Sequence, residues 1–141
     1  MKKYLILIAL PLFFSTYCAA QTFQGSSMFS FWKDAAVSHP QILKKNGFKE
    51  VYGGPRKAGG FLYLYHHKIA QEYLFIYYTP AMTTETISYL VPTKTKYQKL
   101  TGVDQKTFLR GEKIISSGTT RYEDGKKYYQ VTYLCESCNL N

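Results

Sequence analysis

Cysteine is scarce in this chain, with 3 residues in 141, which excludes a disulfide-dense scaffold. Proline, at 5, and glycine, at 10, are too few for a collagen-like or low-complexity segment. Acidic residues are half as frequent as basic ones, 9 Asp and Glu against 18 Lys and Arg. Long apolar runs are missing too: none reaches the ~20 residues of a membrane-spanning helix, which excludes a polytopic membrane protein. What remains is 45% hydrophobic and 17% aromatic, far too apolar for a disordered chain and of a length that fits one compact domain. The formal charge of +9 favours contact with nucleic acid, anionic polymer or acidic protein surface, and bears on association rather than fold.

The first residues read as an address. Lys2 and Lys3 form a positive start, residues 4–14 are apolar apart from Pro11, and residues 15–20 are mostly small. Cys18 and Ala20 stand at −3 and −1 from a cut before Gln21, the small-residue pattern of a secretory cleavage site. Residues 1–20 are therefore expected to be a cleaved signal peptide, leaving a soluble periplasmic or secreted chain with no transmembrane segment. A lipid anchor on Cys18 is the competing reading. It is the weaker one, because Tyr17 before the cysteine and Ser15 three before it do not suit lipid attachment.

After the cut, residues 21–27 are polar and read as a flexible N-terminal arm, and residues 28–141 as a single domain. Phe29, Trp32, Ala36 and Val37 recur at helical spacing. Pro40 suits the first turn of a second short helix over 41–46, and Gly47 the left-handed position that stops it. The period then becomes two. Strands are expected over 48–52, 61–67, 73–78 and 86–91, with a basic loop over 53–60. Thr93 is placed to cap a helix to Leu100, and Asp104 a second over 105–110 closed by Gly111. Strands over 113–117, 119–123 and 128–134 follow, the last two joined at Asp124-Gly125. The order of elements predicts a two-layer α+β fold, short helices on one face of an antiparallel sheet of five to seven strands. Helix-loop-helix followed by strands recurs loosely in 28–91 and 92–135, which suggests half-repeats. The outline is shared by several small exported binding and inhibitor domains, a likeness of fold alone.

Chemistry-bearing residues are few. Cys135 and Cys138, at the end of the last strand, are expected to form a local disulfide, since no helix follows to lower a thiol pKa for redox work. A metal site would need four ligands and lacks a second cysteine pair, so no metal and no cofactor are expected. His66 and His67 are neighbours on a strand, so alternation sends their rings to opposite faces. The loop holding Arg56 and Lys57 is glycine-rich, but it leads into a strand and lacks the Lys-Ser/Thr ending of a phosphate cradle. It reads as a mobile basic tip able to grip an acidic partner.

Tyrosine is the conspicuous residue, 14 in all, most of them on expected strands. Alternation separates Phe61, Tyr63 and Tyr65 from Leu62 and Leu64, and Tyr73, Phe75 and Tyr77 from Leu74 and Ile76. If the leucine and isoleucine faces meet the helices, then Tyr63, Tyr65, Tyr73 and Tyr77 share the open face with Arg56 and Lys57. Tyrosine offers apolar area, a polar tip and little rotamer entropy to lose, as binding surfaces require. The expected function is an exported binding protein that recognises or inhibits another envelope or secreted protein with an acidic surface. A small basic ribonuclease-like hydrolase is the alternative, drawing on Glu72, Glu85, Arg110, Arg121 and His66 or His67. Attachment to nucleic acid or an anionic envelope polymer is a third, disfavoured because the basic residues are spread along the chain.

Overall fold

Met28, Phe31 and Trp32, spaced three and four apart, form the buried stripe of a first helix, α1 (Gly25–Lys33). Its start is closed by a reciprocal cap in which the Gln24 N–H donates to Ser27 Oγ at 2.9 Å. A computed structural model describes residues 23–102, 112–122 and 124–135, without the side chains of 112, 115–121 and 135. After a 3₁₀ turn (Ala36–Ser38), α2 (His39–Lys45) carries Pro40 in its first turn and Lys44 and Lys45 in its last, where the helix dipole favours cations. Gly47 ends it at φ +81°, in the left-handed region expected from the sequence. The described part of the supposed N-terminal arm is not loose. Phe23 is buried with its ring 5.2 Å from Phe31 and 6.0 Å from Phe48, and α1 already begins at Gly25. One aromatic anchor outweighs a polar neighbourhood there.

The strands are β1 (Lys49–Pro55), β2 (Phe61–His67), β3 (Glu72–Tyr78), β4 (Thr84–Val91), β5 (Glu112–Arg121) and β6 (Lys127–Cys135), with α3 (Lys94–Thr101) between β4 and β5. They form one six-stranded antiparallel sheet in the order β1-β2-β3-β4-β6-β5. The fold is α+β, as its sequence pattern predicts, with the helices packed on the sheet. Two boundaries differ from expectation. β1 runs on through Gly53 and Gly54, which the sequence reads as loop: Gly53 lies under the Tyr63 ring, 2.6 Å from where a Cβ would stand, so glycine is what lets the strand continue there. The two strands expected over 113–123 are one, β5, with a register irregularity between Ser116 and Thr119. Among the described residues four strands come from the first half and two from the second, β6 lying inside β5. The expected helix over 105–110 lies outside the described residues, as do the signal peptide, Cys138 and the side chain of Cys135.

Register decides which residues meet the helices. Tyr63, Ile76, Ile87, Tyr133 and Ile114 form one row across the sheet, and Tyr65, Leu74, Tyr89 and Val131 the next. Both rows belong to the core shared with Phe23, Met28, Phe31, Trp32, Leu43 and Leu100. Large rings are tolerated because their hydroxyls find partners: Tyr133 donates to the Leu100 carbonyl at 3.1 Å, and the Tyr78 hydroxyl meets His39 Nδ1 at 2.8 Å. Each fully buried ring contributes about 1.5–3 kcal/mol of apolar transfer.

Candidate functional site

Among the described residues no helix covers the other face of the sheet, on which Leu64, Ser88 and Leu90 are nonetheless buried. Its rows follow from the same register: Tyr52, Leu64, Phe75, Ser88 and Thr132; then Leu62, Tyr77, Thr86 and Leu134; then His66, Tyr73, Leu90 and Gln130. The half toward β1 is aromatic and aliphatic. The half toward β6 is polar, with Ser88 Oγ bonded to Thr132 Oγ1 at 2.9 Å.

Both ends of the face are built up by turns. At one end the β5–β6 turn, where the Gly125 N–H donates to the Tyr122 carbonyl at 2.8 Å, folds back over the sheet. It sets the Tyr122 ring 4.3 Å from Tyr73 and 5.8 Å from Phe75, and Tyr128 stands edge-on to Tyr73 at 5.4 Å. The Asp124 carboxylate accepts the Tyr128 hydroxyl at 2.6 Å and the Lys126 N–H at 2.9 Å. The Tyr128 bond is the main reason its carboxyl is held below the usual range, against a smaller opposing effect of burial. Lys126 Nζ reaches Gln71 Oε1 across the β2–β3 turn at 3.0 Å, tying the two turns together. At the other end the Arg56 guanidinium lies 5.0 Å over the Tyr77 ring and pairs with Glu85 at 3.2 Å. Lys57 stands exposed in the adjoining turn. The result is an aromatic floor between a tyrosine-rich end and a cationic end.

The tyrosines singled out in the sequence divide between two faces. Tyr73 and Tyr77 lie on the free face, and Arg56 joins Tyr77 there. Tyr63 and Tyr65 lie on the helix side, Tyr65 being only 4% exposed. Alternation sorts the residues within each strand correctly. The error is the pairing of faces: Leu62 and Leu64, expected under the helices, lie on the free face, because Tyr63 pairs with Ile76 and Tyr65 with Leu74. Leu62, Leu64 and Tyr122 thus belong to the site without having been expected there. Phe75 was legible from its alternation with Tyr73 and Tyr77, whereas the position of Tyr122 depends on a turn folding over a strand distant in sequence.

The histidines separate as strand alternation requires. His66 stacks on Tyr73 at 4.3 Å, with planes 10° apart, on the free face. Burial first, then the neighbouring His67, lowers its pKa. His67 turns to the other side, where Nδ1 accepts the Ala70 N–H at 3.1 Å. The groups of the hydrolase reading do not converge. Glu72 is fully buried on the helix side against Lys96 and Tyr89. Glu85 sits at the opposite end of the sheet with Arg56, and Arg110 and the Arg121 side chain lie outside the described part. Among the described residues no group of three or more His, Cys, Asp or Glu is placed to hold a metal ion, and no helix is long and apolar enough to cross a membrane. Compared with protein-family models, curated proteins and solved structures, the chain matches none.

Proposed function

We propose that this chain is an exported binding protein that recognises, and thereby restrains, another envelope or secreted protein through its helix-free sheet face. The observation that carries the reading is the contiguous floor of Leu62, Leu64, Tyr73, Phe75 and Tyr77, bounded by Tyr122 at one end and Arg56 at the other. A rigid sheet presents these rings with little entropy left to lose on association, and tyrosine and arginine are the residues that dominate such contacts. The cationic end and the net positive charge suit a partner with an acidic rim around an apolar centre. Sequence features at the N-terminus support export.

The test is crosslinked capture of the tagged mature chain from its native cell envelope, read by mass spectrometry, followed by affinity measurement on the captured protein. A single stoichiometric protein partner is expected. Phe75→Ala and Tyr77→Ala should each weaken it at least tenfold, about 1.4 kcal/mol, whereas Tyr63→Phe should leave affinity unchanged. Recovery of nucleic acid or polymer in place of a protein, or full affinity in both alanine variants, would overturn the reading.

A further inference from the structure

A second surface lies at the margin of the sheet, apart from the face just described. Among the described residues β1 is an outermost strand, paired only with β2, and every one of its residues except Gly54 is exposed. Val51 is 61% and Tyr52 50% exposed, uncommon values for large apolar side chains on a sheet. A free edge presents unpaired N–H and C=O groups that can template another strand. Beside the start of this edge, between α2 and β1, is a cleft of about 380 Å³ lined by Pro40, Phe48 and Tyr65 together with Lys44, Lys49 and Glu50.

The charges around this edge are mostly positive, with Glu50 the one carboxylate on β1. Glu50 lies beside the Tyr65 hydroxyl, whose pKa is pushed up to about 12 by burial first and by Glu50 second. Lys44, Lys45 and Lys49 form no ion pair among the described residues. Lys57 stands at the other end of the strand, next to Arg56, which is paired with Glu85. Self-pairing of two β1 edges in antiparallel sense would set Lys49 of one copy against the Arg56–Lys57 end of the other, which like-charge repulsion opposes. An acidic strand meets no such cost, and its side chains alternate so that one set faces the cations.

We propose that the free edge of β1 docks an extended acidic segment of a partner protein, which adds as a further strand and seats a side chain in the α2–β1 cleft. Pro55 ends the edge, so the added strand is short, on the order of 5–6 residues. Main-chain bonds supply affinity, and the cleft with its lysines supplies selection, the division found in strand-addition recognition. Its main-chain bonds and cleft lie outside the floor of Leu62, Tyr73, Phe75 and Tyr77, so either surface can fail without the other.

The probe is an eight-residue peptide of alternating Val and Glu, titrated into the full mature chain and followed by NMR shifts and amide exchange. Saturable binding is expected, with slowed exchange in β1 and shifts at Lys44, Lys49 and Tyr65. The same peptide with Lys for Glu should bind at least tenfold more weakly, and N-methylation of the peptide at alternate backbone nitrogens should lower affinity at least tenfold for one of the two registers. Lys44→Glu with Lys49→Glu should reverse the preference toward the lysine peptide. Absence of binding, indifference to N-methylation in both registers, or shifts confined to Tyr73, Phe75 and Tyr77 would each overturn the proposal. The N-methylated peptides decide the matter on the unaltered protein, so a poorly folding double variant does not remove the test. Loss of partner binding in Phe75→Ala with peptide binding intact separates the two surfaces.

Discussion

His39 shows how a single buried side chain can couple this fold to pH. Its Nε2 lies 2.9 Å from the Phe31 carbonyl and its Nδ1 2.8 Å from the Tyr78 hydroxyl. A carbonyl only accepts, so Nε2 carries the proton and Nδ1 receives the Tyr78 O–H; the neutral ring is fully satisfied. Burial pushes its pKa below 6.5, opposed by the Phe31 carbonyl and by Asp34. Between that lowered pKa and 6.5 the unfolded chain binds more protons than the folded one, so stability rises with pH across the interval. The contribution is fully present above pH 6.5 and is lost as pH falls through the folded value, at no more than about 1.4 kcal/mol per pH unit. Urea midpoints should fall from pH 7.5 to pH 5.5, and His39→Gln should flatten part of that slope. An unchanged slope in the variant would assign it elsewhere, first to His66, whose pKa moves in the same direction. Neither His39 partner was legible in the sequence, which marks this residue only as the one before a proline.

Among the elements, α3 is held to the sheet by charge. Lys96 Nζ bonds Glu72 Oε1 at 2.8 Å and the Tyr89 hydroxyl donates to Oε2 of the same carboxylate, all at the β3 end nearest the helix. Glu72 is fully buried, so its charge is tolerable only while both bonds persist. Lys96→Met should therefore cost about 3–5 kcal/mol, whereas adding Glu72→Gln to it should recover part of the loss, a coupling that a double-mutant cycle in urea measures directly. Additive effects would mean that the pair does not act as a unit. The start of α3 was readable in advance: Thr93 Oγ1 accepts the Lys96 N–H at 3.3 Å, as its position before the helix implies. Gly47 and Pro40 were readable for the same reason, because caps and stops depend on near neighbours. The Lys96–Glu72 bond joins residues 24 apart, and nothing local announces it.

On the scale of the whole molecule, charge and topology act on different properties. In the proposed complex the excess of 18 basic over 9 acidic residues would steer encounter, while the aromatic floor would hold what has arrived. Association with the captured partner should therefore slow several-fold as salt is raised from 0.05 to 0.5 M, with little change in dissociation. Tyr77→Ala should instead speed dissociation, a contrast that surface plasmon resonance resolves. If salt acts mainly on dissociation, the charges belong to the buried interface and not to its approach. Topology sets where the proposed interface lies. Placing β6 between β4 and β5 brings the β5–β6 turn over the free face, so Tyr122 reaches Tyr73 from a strand pair formed late in the chain.

Composition, period and punctuation were sufficient to specify the α+β class, all but two of the described strands near their observed bounds, the helix-loop-helix start and the split of His66 from His67. Each follows from interactions within a few residues: alternation across a strand, a proline that lacks an N–H, a glycine that tolerates positive φ. The choice of face required the register between strands. Tyr65 and Leu64 are adjacent and both apolar, and only the pairing of Tyr65 with Leu74 tells which of them meets the helices. The continuation of β1 through Gly53 and Gly54, the burial of Glu72 and the position of Tyr122 were likewise decided by contacts between distant segments. Local preference carries no record of such contacts, because they exist only once the chain has closed on itself.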